Sequence, residues 1–80
     1  MTLYVEILSP EGVLFKGKAK EVQAPGVKGL FQVLPRHAPF IASLVPGRVR
    51  VTPADSNEPQ IFPIEEGLLR VYRNHVVILA

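Results

Sequence analysis

The sequence predicts an all-β domain, a small β-sandwich or flattened barrel of about eight to ten short strands. Two observations carry that expectation. Six Gly and eight Pro punctuate the eighty residues, and only Leu68 to Ala80 offers a window longer than ten residues without either. Helices average about 11–12 residues, so a helical fold has almost nowhere to sit. Between these breakers the apolar residues often recur with a period of two, the period of a strand with one buried face. Residues 1–80 are read as a single domain. A chain this short buries only about 60% of its unfolded surface, so it gains from partners.

The elements follow in order. Leu3, Val5 and Ile7 share one face of an opening strand, with Tyr4 and Glu6 on the other. Ser9-Pro10-Glu11-Gly12 is a turn, and Val13-Leu14-Phe15-Lys16 returns from it as the second arm of a hairpin. Lys18, Lys20 and Glu21-Val22-Gln23-Ala24 read as a further strand, stopped by Pro25-Gly26. Arg48-Val49-Arg50-Val51 alternates most cleanly, valines inward and arginines in water. Asp55-Ser56-Asn57-Glu58-Pro59 is a polar surface loop. Gln60 to Ile64 forms the next strand, and Pro63 within it demands an edge or a bulge. The last window would allow a helical stripe through Leu68, Leu69, Val71, Tyr72, Val76 and Leu79. Its β-branched Val71, Val76, Val77 and Ile78 favour two strands instead, turning at Arg73-Asn74, where Asn accepts a positive φ cheaply.

Composition narrows the chemistry. With no Cys there are no disulfides, thiolate metal sites or cysteine nucleophiles. His37 and His75 have no carboxylates at ligand spacing, so no metal is expected. Glu65 and Glu66 are strand neighbours that point to opposite faces and cannot flank one substrate. Gly26-Val27-Lys28-Gly29 lacks the Gly-Lys-Ser/Thr ending of a phosphate loop, and no serine sits in a Gly-x-Ser-x-Gly turn. No catalytic residue and no cofactor are therefore expected, and an enzyme acting alone is disfavoured. No run approaches the length of a membrane span or a signal peptide. The net charge of +2 is too small to argue for nucleic acid.

Two segments carry more specification than packing requires. Ala24 to Phe31 is a tight loop that pushes apolar side chains towards its tip. It reads equally as a loop tucked on its own domain and as an exposed partner site. In Leu34-Pro35-Arg36-His37-Ala38-Pro39-Phe40 the prolines hold the backbone extended and present Arg36 and His37 rigidly. A lone His in such a setting is more often a hydrogen-bonded structural residue than a reactive one.

These two segments also carry a resemblance. With Ser9 to Gly17, Ala24 to Gly29, Val33 to Pro39, Pro46 to Val51 and Glu66 to Ala80, in that order, the chain resembles the N-terminal β-sandwich domain of the epsilon subunit of bacterial rotary ATP synthases, called delta in mitochondria. The Leu-Pro-x-His-Ala-Pro stretch is the most specific part. The resemblance implies a non-catalytic rotor subunit that links the gamma subunit to the ring of c subunits. It would be peripheral to the cytoplasmic face of the bacterial plasma membrane through its complex. It further implies contact with the c-ring through Val27, Lys28, Leu30 and Phe31, and with gamma through Ser9, His37 and Ala42.

The sequence departs from the family's pattern at several places. Arg36 stands where relatives usually have Gly, as do Gln32 and Glu66 in many of them, and Leu30 often replaces an acid. Relatives usually continue into two C-terminal helices that inhibit rotation and in some members bind ATP. The sequence ends at Ala80, so neither property carries over, and ATP is expected neither to bind nor to stabilise these residues. The alternative is a small β-barrel binding single-stranded nucleic acid, with Arg48, Arg50, Arg70 and Arg73 on phosphates. Only 8% of residues are aromatic and none interleaves the arginines of Arg48-Val49-Arg50, which weakens it.

Overall fold

A computed structural model describes all of Met1–Ala80 and contains eight strands. They are β1 (Leu3–Ser9), β2 (Gly12–Gly26), β3 (Gly29–Val33), β4 (Phe40–Leu44), β5 (Gly47–Pro53), β6 (Gln60–Ile64), β7 (Gly67–Tyr72) and β8 (His75–Leu79). Pairing runs β1-β8-β7-β4-β2-β5-β6, with β3 beside β2 and a further β1–β2 ladder that closes the circuit. All ladders are antiparallel except β1–β8. The result is the expected sandwich, flattened and largely closed.

β2 makes the two layers one body. Its first half pairs with β1, and its second half lies between β3 and β5. Between the halves the register against β5 shifts, from Ala19 opposite Pro53 to Glu21 opposite Thr52. That bulge moves the inward set from the odd residue Ala19 to the even residues Val22 and Ala24. The sequence reading of two separate strands is corrected accordingly: the pattern changes parity, and the strand does not stop. Nor does Pro25 end it. Pro25 has no N–H to donate, but its carbonyl accepts from the Val45 N–H at 2.9 Å, and the strand runs on to Gly26.

Every strand contributes to a single core of fifteen buried apolar residues, among them Leu3, Val5 and Ile7 from β1 and Leu69, Val71, Val76 and Ile78 from β7 and β8. The period-two assignments for β1, β5, β7 and β8 hold as expected. β6 is an edge strand, which accommodates Pro63. The β7–β8 connection is a two-residue turn in which Arg73 and Asn74 have φ of 48° and 64°, the paired positive values that match strand twist.

Two further strands were not assigned from the sequence, one of them within the segment read as a loop. β3 begins inside the Ala24–Phe31 segment, and β4 follows the proline-flanked histidine. The backbone around His37 also differs from the extended run expected. Leu34 to His37 forms a turn closed by the His37 N–H on the Leu34 carbonyl at 3.2 Å. Pro35 takes its first corner and Arg36 its second at φ 68°, the geometry of a type II turn. That corner favours Gly, which explains in backbone terms why an arginine there is a departure. The Arg36 N–H donates to Asn74 Oδ1 at 2.6 Å, tying this turn to the β7–β8 turn.

Candidate functional site

The Ala24–Phe31 segment is a hairpin, with Val27 and Lys28 as its two turn residues and Gly26 facing Gly29. Gly29 reverses the chain at φ +122°, a conformation that L side chains rarely adopt. Gly26 is required for a different reason. A Cβ there would sit 2.9 Å from Phe31 Cε1 and 3.1 Å from the Gly29 carbonyl oxygen. The two readings of this segment divide between adjacent residues. Phe31 turns inward, packs against the core and meets Phe40 edge to face at 5.3 Å. Val27 and Leu30 point to solvent, 67% and 70% exposed, with Lys28 exposed between them.

Beneath the tip lies an open cleft of about 520 Å³ between the hairpin and β4, lined by Val27, Lys28, Leu30, Phe31, Phe40 and Ala42 among others. Its walls are mostly apolar, and the Val27 N–H bonds the Ser43 carbonyl at 3.2 Å to hold the hairpin over the strand. The four residues expected to face the ring therefore form one unit, with Phe31 as its inner support. Ala42 joins that unit too: opposite Leu69 in the β4–β7 ladder, it looks into the cleft.

Ser9 lies away from this unit, while His37 adjoins it through Phe40, two positions before Ala42 on β4. Ser9 ends β1, its hydroxyl donating to the Gly12 carbonyl at 3.1 Å in the β1–β2 turn. His37 lies beside the opposite end of β1, where the Tyr4 N–H donates to the Asn74 carbonyl and Arg36 binds the Asn74 side chain. The His37 ring sits 5.4 Å from Phe40, with Nδ1 2.7 Å from the Ala38 carbonyl oxygen, so Nδ1 carries the proton. The ring is thus held by a hydrogen bond within its own segment.

Sequence reasoning missed the outward face of β1, β8, β7 and β4. Its in-register rows are Tyr4, His75 and Tyr72; Glu6, Val77, Arg70 and Ile41; and Leu8, Leu79, Leu68 and Ser43. The face holds one ion pair, Glu6 with His75 at 2.7 Å, and is otherwise largely apolar. Ile41 is 67% exposed and Tyr72 52%. The signal was present in Leu68, Val77 and Leu79, which alternate with core residues and are themselves apolar where water-facing positions are usually polar.

The four arginines of the alternative reading do not form one groove. Arg48 and Arg50 lie on β5, whereas Arg70 lies on β7 and Arg73 in the following turn, over the Tyr72 ring at 5.3 Å. A nucleic-acid surface is thus not supported. The structure holds no group of three or more His, Asp or Glu side chains placed to bind a metal, and no helix long and apolar enough to cross a membrane.

The chain is similar over nearly its whole length to known proteins. The chain is 44% identical over 80 residues to ATP synthase epsilon chain 1 of Methylococcus capsulatus, covering all of this chain and 56% of that one. It is equally close to the epsilon chain of Thioalkalivibrio sulfidiphilus, of which it covers 57%. The chain thus spans a little over half the length of these relatives. The epsilon chain of Chlorobium limicola is 39% identical over 75 residues, which are 94% of this chain and 84% of that one. Among solved structures, a chain of the Euglena gracilis mitochondrial ATP synthase superposes with a TM-score of 0.90 at 16% identity, covering 99% of this chain and 50% of that one. A chain from the central stalk and c-ring of the Tetrahymena thermophila mitochondrial enzyme gives 0.82, also at 16%, over 99% and 63%. At such identities these two show the shared fold. A family model described as the beta-sandwich domain of the ATP synthase delta/epsilon chain matches residues 2–80. From Thr2 to Ala80, the chain belongs to the family of ATP synthase delta/epsilon-chain β-sandwich domains.

Proposed function

We propose that this domain is a non-catalytic element of the central stalk of a proton-transporting F-type ATP synthase, joining the gamma subunit to the c-ring. It would sit at the cytoplasmic face of the bacterial plasma membrane, held there by the complex. The observation that carries the reading is the hairpin tip. In a small body whose β2 belongs to both layers, Val27, Lys28 and Leu30 are pushed outward while Phe31 and Gly26 lock the tip from behind. Apolar side chains around a single cation suit the mixed surface of a membrane ring's loops, where Lys28 would meet carboxylates. Gamma would be met through the Ser9 and His37 ends of the sandwich and through Ala42.

Replacing Lys28→Glu and Leu30→Asp together tests this, because both side chains are exposed and neither supports the fold. The expected result is a folded chain whose ATP synthase shows weakened ATP-driven proton pumping. Pumping at the wild-type level would remove the hairpin from the ring interface. His37→Ala should instead loosen binding to gamma.

A further inference from the structure

Two strands of the sandwich pair on one side only, β3 and β6, and their free edges are not equally protected. On β6, Pro63 lies opposite Arg48 and has no N–H to offer an incoming strand, which blunts that edge. β3, Gly29-Leu30-Phe31-Gln32-Val33, carries neither a proline nor a charge. Antiparallel ladders bond alternate pairs, and the residues between them turn their N–H and C=O away from the partner strand. The Pro25 carbonyl is turned to the Val45 N–H, away from β3, so Pro25 and Leu30 form a non-bonded pair of the β2–β3 ladder. Two residues along, Gln23 and Gln32 do the same. The N–H and C=O of Leu30 and Gln32 therefore point off the free edge, where no backbone group of the chain meets them. Both residues are exposed.

We propose that the free edge of β3 is a strand-addition site, which takes an extended protein segment flanked by acidic residues as a further strand of the sandwich. Two donors and two acceptors at strand spacing are what an incoming strand pairs with. Leu30, 70% exposed, and Leu34 just beyond the strand, 48% exposed, add apolar cover beside those bonds. Charge selects the segment. Lys28 precedes β3 and Arg36 follows it, both exposed, and neither is in a salt bridge, the only one in the chain being Glu6 with His75. The one carboxylate on β2 and β3, Glu21, accepts from the Gln32 side chain at 2.8 Å. A segment with an acid at each end is therefore favoured at both ends of the strand. A second copy of the chain fits less well. Two β3 edges related by a two-fold axis run antiparallel, which sets the Lys28 end of one beside the Arg36 end of the other, cation towards cation. The site consists of backbone groups of β3 and stands independently of the stalk reading.

The probe is the synthetic peptide acetyl-Glu-Val-Thr-Val-Thr-Val-Glu-amide, titrated into the isotope-labelled chain and followed by nuclear magnetic resonance. Saturable binding should slow hydrogen exchange of the Leu30 and Gln32 N–H groups by at least about tenfold and leave the amides of β6 unchanged. The same peptide with a fully N-methylated backbone should not bind, because it has no donors to pair. Lysine in place of both glutamates should weaken binding about tenfold, the scale for two exposed ion pairs lost. Gln32→Pro gives β3 the guard that β6 has in Pro63. It should abolish binding and keep the wild-type circular dichroism spectrum, since the Gln32 N–H takes no part in the β2–β3 ladder. The exchange of Leu30 and Gln32 in the wild-type chain decides the matter whether or not that variant folds. Absence of binding at millimolar peptide would overturn the proposal, as would binding that leaves these two amides unprotected. Equal affinity for the N-methylated or the lysine-ended peptide would overturn it as well. A free chain that sediments as a dimer, with Leu30 and Gln32 already protected, would give the edge to a second copy and overturn it too.

Discussion

The β2–β3 hairpin and the β7 strand both show apolar side chains to water, and they do so beside residues of the opposite fate. In the hairpin, Leu30 is open and Phe31 is tucked inward. On β7, Leu68 is open and Leu69 is fully buried. The difference lies in what creates the exposure. The hairpin tip projects past the end of the core, so its side chains have nothing to pack on. Leu68 is displayed by regular alternation on a covered strand, where a polar residue would serve folding equally well. Chain geometry forces an exposed tip. An apolar residue at an alternating outward position is a matter of composition, and so the stronger sign of a partner.

Neighbouring substitutions separate the two roles. Leu69→Ala should cost about 2–5 kcal/mol, as large-to-small changes in a packed core do, whereas Leu68→Ala should stay within about 0.5 kcal/mol. Urea denaturation of both variants checks this, and equal losses would erase the distinction on β7. In the hairpin, Phe31→Ala should cost about 2 kcal/mol, less than a fully buried Phe because the ring is partly exposed, with Leu30→Ala near zero. A large loss at Leu30 would mean that the tip is structural after all.

The turns that frame the face allow finer tests. Arg36→Val should lower stability by about 1–2 kcal/mol, because a β-branched residue resists the left-handed corner, while Arg36→Gly should be neutral or better. Thermal melts that ranked Val equal to Gly would contradict the turn as described. A small effect is also expected at the Glu6–His75 pair. It is partly exposed, so Glu6→Gln should change stability by no more than about 1 kcal/mol.

Much of this architecture was legible in the residues, and the exceptions have physical causes. β1, β5, β7 and β8 have one face in the core and the other outward, so Leu3-Val5-Ile7 and Val49-Val51 announce them. Asn74 marked its turn, and Pro63 its edge. β4 was hidden because its inner face looks partly into an open cleft. Of its five residues only Leu44 is buried, and because the outward Ile41 is apolar too, polar and apolar residues do not alternate along it. β2 was read as two strands because the bulge beyond Ala19 exchanges its inward and outward residues midway. The hairpin unit could be read from Gly26, Gly29 and the apolar tip between and beyond them. The inclusion of Ala42 could not, since only the crossing of β4 beneath the hairpin puts it there. The outer face escaped notice because a sequence shows which residues alternate, while the rows they build across four strands depend on the order β1-β8-β7-β4.

The parallel β1–β8 ladder has a mechanical consequence. The first and last strands lie side by side and point the same way over five register pairs, from Tyr4 with His75 to Leu8 with Leu79. Pulling the two ends of the chain apart along the strands would load these hydrogen bonds in shear, so they must yield together. A hairpin pulled at its open ends unzips one bond at a time. The Tyr4 N–H on Asn74 and the Ala80 N–H on Leu8, both 2.8 Å, fasten the two extremities of this seam. The domain's first and last strands are therefore joined by the ladder that resists slip best.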